Sequence, residues 1–214
     1  FDIDSSNGIT ILLRAKINSN NNGRLLTNVL EFASTNGFDI NATSLSNSIG
    51  FEGGEGLRVY PMNTGAATDV AFVIENSTSI EAYINGTLTA PTIIDGLVYE
   101  NNVAIPNSSN NVHVGNIFNS GSWNRPLDGE IYRIEIFEEK LSLAQIQSWN
   151  SGTDLGLSST ILTFDGNDNV PDENAATLLL GRVKIGSKRT RSDSTGLYVD
   201  RYNGSQWVLV ATLA

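Results

Sequence analysis

Residues 112–147 limit the choice of fold more than any other part of this chain, because they lay down two strand-like runs around a loop and then one short helix. Val112, Val114 and Ile117 are spaced apolar residues broken by Gly115, and a loop rich in Asn, Ser and Gly then runs to Pro126, where regular pairing becomes difficult. Beyond Asp128 and Gly129, the run Ile131, Tyr132, Ile134, Ile136 and Phe137 has the β-branched and aromatic content of a strand packed on one face and partly covered on the other. Ser142 can cap a helix, and Leu143, Ile146 and Trp149 fall at helical spacing, so the pattern predicts a short helix that docks one apolar stripe on a sheet.

The rest of the chain agrees with many short strands joined by turns. Gly and Asn are abundant, at 20 and 25 of 214 residues, while charged residues make up only 17%. Asn-Gly pairs begin at Asn7, Asn22, Asn36, Asn85 and Asn203, and those at Asn85 and Asn203 sit between alternating apolar runs, as two-residue hairpins of type I′ require. No Cys occurs, which excludes disulfide staples and thiolate metal sites. Apolar runs such as residues 70–74 fall far short of the ~20 residues that span a bilayer, so no membrane insertion is expected. Phe1 already lies in what reads as a first strand, which suggests a processed product or a domain within something longer.

These residues resemble the laminin G-like, concanavalin A-like lectin/glucanase superfamily. The match lies in Asp128-Gly129-Glu130-Ile131, Arg133-Ile134 and Leu141-Ser142 with Ile146, with Leu127 standing where that family usually has an aromatic. Residues 1–17 are similar to its opening strands, and residues 70–89, which contain Tyr83-Ile84-Asn85-Gly86, to its central hairpins. The resemblance implies an all-β fold, a two-sheet antiparallel jelly-roll sandwich with one short helix. Residues 161–164, followed by an Asp/Asn-rich stretch, are similar to its last strand, so the sandwich is expected to cover residues 1–172. Residues 173–214 then form a C-terminal β-extension of three strands, read in residues 177–186, 196–204 and 205–214, too small for a core of its own and suited to attachment or assembly.

Charge narrows the function classes. Residues 1–169 carry 7 Lys and Arg against 19 Asp and Glu, whereas residues 170–214 carry 6 against 4, giving the net charge of −10. An acidic body argues against nucleic acid as ligand. Five basic residues fall within residues 182–191, where alternation with Val183 and Ile185 places Arg182 and Lys184 on one outward face.

Glucanases share this sandwich, but the glycosidase motif Glu-x-Asp-x-x-Glu is absent, and Glu130 and Glu135 should face opposite sides of a regular strand. The single His113 rules out paired-His chemistry within one chain and reads as a packed or rim residue. No catalytic set is therefore expected.

Sugar binding in such sandwiches needs an aromatic face with amide or carboxylate groups around it. Trp123 with Asn119, Asn124 and Arg125, and Tyr99 with Glu100 on a second loop, are the candidate contacts. Laminin G-like and pentraxin-like sandwiches often hold Ca²⁺ at one rim. Asp165, Asn167, Asn169 and Asp172 offer hard oxygens in one short loop, without the Gly and Glu positions of an EF-hand.

The expectation is a non-catalytic display, adhesion or glycan-binding module, part of a homo-oligomeric or larger assembly. Its Asn/Gly/Ser-rich, Cys-free surface resembles virion-displayed modules of bacteriophages, with a cell-surface glycan or other virion proteins as partners. An extracellular bacterial carbohydrate-binding or adhesin domain and a degenerate polysaccharide-active enzyme are the alternatives.

Overall fold

The computed structural model describes residues 8–28, 37–53, 56–76, 79–92, 112–119, 122–165, 188–193, 196–202 and 207–213. Along these the chain makes β1 (Ile9–Ile17), β2 (Gly23–Thr27), β3 (Phe38–Ala42), β4 (Ser48–Gly53), β5 (Gly56–Pro61), β6 (Thr68–Asn76), β7 (Ser79–Ile84), β8 (Thr87–Thr89), β9 (His113–Val114), β10 (Ile117–Asn119), β11 (Ser122–Asn124), β12 (Gly129–Phe137), helix α1 (Leu143–Asn150), β13 (Thr160–Asp165), β14 (Lys188–Asp193), β15 (Gly196–Tyr202) and β16 (Trp207–Leu213). A six-stranded antiparallel sheet runs β13-β12-β1-β6-β7-β8 and a five-stranded one runs β5-β4-β3-β2-β9. The expected two-sheet jelly-roll sandwich with one short helix is the fold.

The alternating aliphatic rows supply the core. Ile9, Ile11, Leu13, Ala15 and Ile17 of β1 pack with Val70, Phe72 and Ile74 of β6 against Phe38, Ile40, Ile49, Phe51 and Tyr60 of the other sheet. The aromatic rings tie the layers together: Phe51 lies 5.0 Å from Phe72 and Tyr60 5.7 Å from it, while Phe38 stacks on Phe51 at 6.1 Å. Such pairs add to burial by about 0.5–1.5 kcal/mol each.

β1 is buried on its second face as well. Leu12, with Ala71, Val73 and Phe137, is covered by Leu141, Ile146 and Trp149 from the helix region. Ser142 closes a capping box, its hydroxyl accepting from the Gln145 amide while the Gln145 side chain accepts from the Ser142 amide at 2.8 Å. The Arg133 guanidinium sits 4.8 Å from the centre of the Trp149 ring. The expected stripe is narrower than its spacing implied: Ile146 and Trp149 are buried, but Leu143 is 45% exposed.

Asn85 and Gly86 have φ of +50° and +74° and join β7 to β8, the expected type I′ turn, with the Asn85 side chain accepting from the Asp69 amide. Asn203 lies outside the described residues, although β15 and β16 pair around it with Tyr202 opposite Trp207.

Two local readings change. The stretch expected to be a loop before Pro126 contains the hairpin β10-β11, with Phe118 opposite Trp123, because the β-forming Ile117, Phe118 and Trp123 outweigh the Asn and Ser beside them. In β12 the register slips so that Arg133 faces Arg14 while Ile131 faces Ala15, leaving Tyr132 as an extra residue. Glu130 and Glu135 therefore share a face. At about 3.3 Å per residue they stand roughly 13 Å apart along the sheet, too far for a glycosidase couple. Each also has its own basic or phenolic partner: Glu130 holds Lys16 and Tyr132, and Glu135 holds Arg133 at 2.6 Å.

In the C-terminal region, β14-β15-β16 form a separate three-stranded sheet that pairs with no sandwich strand among the described residues. Its first strand is Lys188–Asp193; the strand expected around Arg182 to Ile185 lies outside the described residues.

Candidate functional site

Two rows of outward-facing side chains cross the five-stranded sheet. One runs Leu57, Glu52, Asp39, Thr27, His113 over β5, β4, β3, β2 and β9, and the next runs Val59, Gly50, Asn41, Arg24. A bulge builds the second row. In β2, Arg24 faces Asn41 and Leu26 faces Ile40, so Leu25 is an extra residue. Both leucines enter the core, and Arg24 is left on the outer face with Thr27. Asp39 and Asn41 reach that face by simple alternation between Phe38, Ile40 and Ala42.

Arg24 and Asp39 form a buried ion pair, with Nε 2.6 Å from Oδ2 and the two residues 3% and 2% exposed. Arg24 Nη1 also donates to the Asn22 carbonyl at 3.1 Å. Asp39 Oδ1 has no hydrogen-bond partner among the described residues. Burial is the largest influence on this carboxyl and outweighs the pull of Arg24; with Glu52 adding repulsion, its pKa is pushed up to about 7. Burial likewise lowers the Arg24 guanidinium from its usual value, opposed by Asp39.

Above this pair lies a cavity of about 190 Å³ lined by Asn22, Arg24, Asn41, Thr43, Ser44, Leu45, Glu52, Leu57, Val59 and Arg125. Gly50 keeps it open. A Cβ there would stand 2.8 Å from Asn41 Oδ1 and 2.7 Å from Thr43 Cγ2. The wall over residues 43–48 is tied by Thr43 Oγ1, which bonds Ser48 Oγ at 2.5 Å and accepts from the Leu45 amide at 3.1 Å. Arg125 is placed by its backbone: its carbonyl accepts from the Arg24 amide at 3.0 Å, and the residue is exposed with φ of +58°.

The cavity has room for about six waters, hence for one sugar ring. Guanidinium, amide, hydroxyl and carboxylate groups surround it with three aliphatic side chains, a lining suited to sugar hydroxyls and ring CH groups. Asp39 and Glu52 stand directly opposite each other, but the enclosed Asp39 is held by Arg24 and does not line the cavity.

Of the residues proposed from sequence, Arg125 lies on this cavity. Asn119, Trp123 and Asn124 belong to the β10-β11 hairpin that leads into Arg125; their backbone positions are described and their side chains are not. Tyr99 and Glu100 lie outside the described residues, as do Asn167, Asn169 and Asp172, while Asp165 ends β13. Among the described residues no three His, Cys, Asp or Glu side chains converge as a metal site, and no helix is long and apolar enough to cross a membrane. His113 is half-buried in the edge strand β9, and burial lowers its pKa. Sequence reasoning missed Arg24, Asn41 and Glu52, whose only local signal is a polar residue set within an apolar strand.

No family model matches this chain, and no curated protein matches it by sequence. Solved structures do. A native heptameric SAP-like pentraxin from Limulus polyphemus is 15% identical with a TM-score of 0.52, over 70% of this chain and 72% of its own. The CBM40 of Ruminococcus gnavus IT-sialidase, bound to α2,3 sialyllactose, is 18% identical with a TM-score of 0.50, over 67% and 83%. A protein of Bacteroides ovatus ATCC 8483 assigned as carbohydrate-binding is 13% identical with a TM-score of 0.55, over 94% of this chain and 55% of its own length. At these identities the likeness establishes the fold, a concanavalin A-like jelly roll.

Proposed function

We propose that this chain is a non-catalytic glycan-binding module whose ligand enters the cavity on the outer face of the five-stranded sheet. The observation that carries this reading is the ring-sized pocket floored by Arg24 and Asn41 and edged by Glu52 and Arg125. Support also comes from the neighbours, which include a sialyllactose-binding CBM40 and a protein assigned as carbohydrate-binding. A hydrolytic role draws no support from the carboxylates: Glu130 and Glu135 are far apart, and Asp39 is sealed against Arg24.

In this reading Asn119, Trp123 and Asn124, in the β10-β11 hairpin that precedes Arg125 in the chain, remain proposed contacts. Tyr99 and Glu100 remain proposed contacts, and Asp165, Asn167, Asn169 and Asp172 remain the residues that would offer oxygens to Ca²⁺. Carbohydrate binding is what these neighbours favour, and a virion role draws no support from them.

A glycan array, run with and without Ca²⁺ on wild type, Arg125→Ala and Trp123→Ala, tests the proposal. Binding by wild type that is weakened at least tenfold in Arg125→Ala is the expected result. A blank array, or signals untouched by both substitutions, would contradict it.

A further inference from the structure

We propose that the preferred ligand carries a carboxylate, which docks on the Arg24 and Arg125 side of the cavity, and that Asp39 is an internal counter-ion whose charge the ligand replaces. This rests on the glycan-binding reading and specifies the class of sugar.

The distribution of basic residues is the first argument. Residues 1–169 hold only seven Lys and Arg against nineteen acidic residues, yet two of those seven line this one cavity. Bringing guanidiniums together in an acidic molecule is unfavourable for a site that takes only neutral hydroxyls. It suits one that takes an anion.

The second argument is the charge count at the floor. Arg24 and Arg125 face Glu52 and Asp39, so the site is neutral when both carboxyls are ionised. Asp39 is the weaker member. It is buried, its Oδ1 lacks a partner among the described residues, and Glu52 repels it from the neighbouring strand. With its pKa at about 7, it accepts a proton at little cost near neutrality. Arg24, which burial already penalises as a cation, is then without a full counter-charge. An incoming carboxylate restores neutrality, one proton passes from solvent to Asp39, and the charges balance.

The charged and titratable groups around Asp39 are Arg24 on β2, Glu52 on β4, Arg125 after β11 and, at the far end of its row, His113 on β9; Asn41 hydrogen-bonds it from its own strand. Burial lowers the His113 pKa from its usual 6.5, and the Asp39→Asn variant separates its titration from that of Asp39.

Isothermal titration of the full chain with matched pairs tests this: sialyllactose against lactose, and trigalacturonate against its methyl ester. The expected result is at least tenfold tighter binding of one acidic member than of its neutral partner, a preference that Arg125→Ala removes. For that ligand, affinity weakens about tenfold from pH 6 to pH 8, as proton uptake on a group with pKa about 7 requires. Asp39→Asn, which mimics the protonated carboxyl, flattens the pH dependence. Should Asp39→Asn not fold, the wild-type pH profile and the exposed Arg125→Ala still decide. Equal binding of acidic and neutral partners, or array binding confined to neutral glycans, would overturn this inference and leave the glycan reading standing. No binding to any glycan would overturn both.

Discussion

Arg24 and Asp39 meet at 2.6 Å across β2 and β3 with almost no exposure to solvent, so the arginine that lines the cavity proposed to bind sugar is backed by a buried carboxyl. Removing one partner strands the other. Arg24→Met should destabilise the fold by about 3–5 kcal/mol, and the double variant Arg24→Met/Asp39→Leu should regain most of that loss, both read from urea denaturation. A single-variant cost under about 1 kcal/mol would show that the pair is solvated in solution.

The raised pKa of Asp39 fixes the sign of one pH effect. In the unfolded chain this carboxyl ionises near 3.8, whereas in the folded protein it holds its proton until about 7. The folded state therefore binds more protons between these values, and stability from this group is full below about pH 4 and lost as pH rises to 7. The stability of wild type relative to Asp39→Asn should fall from pH 4.5 to pH 7 and then level off. A difference that rises over that range would mean that Arg24 outweighs burial.

Gly50 governs the volume of the cavity. Gly50→Ala places a methyl group against Asn41 and Thr43 and should weaken glycan binding at least tenfold while the protein stays folded by circular dichroism. Unchanged affinity would move the ligand elsewhere.

The helix is a cover for the other sheet and should be separable from binding. Ile146→Ala should cost about 2–5 kcal/mol as a cavity in the packed layer over Leu12, and Ser142→Ala about 1 kcal/mol through loss of the cap. Leu143→Ala, at an exposed position, should cost little. None should alter glycan affinity, and a loss of binding in folded Ile146→Ala protein would link the two faces.

The sandwich was legible because its signals are local: the period-two rows of β1 and β6, the Asn85-Gly86 turn, and Ser142 before Ile146 and Trp149. The site was only partly legible. Arg125 could be seen because it stands in a loop beside an aromatic. Arg24, Asn41 and Glu52 are far apart in the chain and meet only through strand register, and Arg24 faces outward because of the bulge at Leu25. The bulge at Tyr132 likewise reversed the expected facing of Glu130 and Glu135. A bulge shifts alternation by one residue, and nothing in the local run Gly23-Arg24-Leu25-Leu26-Thr27 announces it.

The most direct measurement is a ¹H–¹⁵N NMR titration of the assigned protein with the strongest glycan from the array. Binding at the outer face of the five-stranded sheet predicts saturable shifts at Arg24, Asn41, Gly50, Glu52 and Arg125, with the amides of α1 unmoved. Shifts confined to α1 and the six-stranded sheet, or none at millimolar sugar, would contradict it.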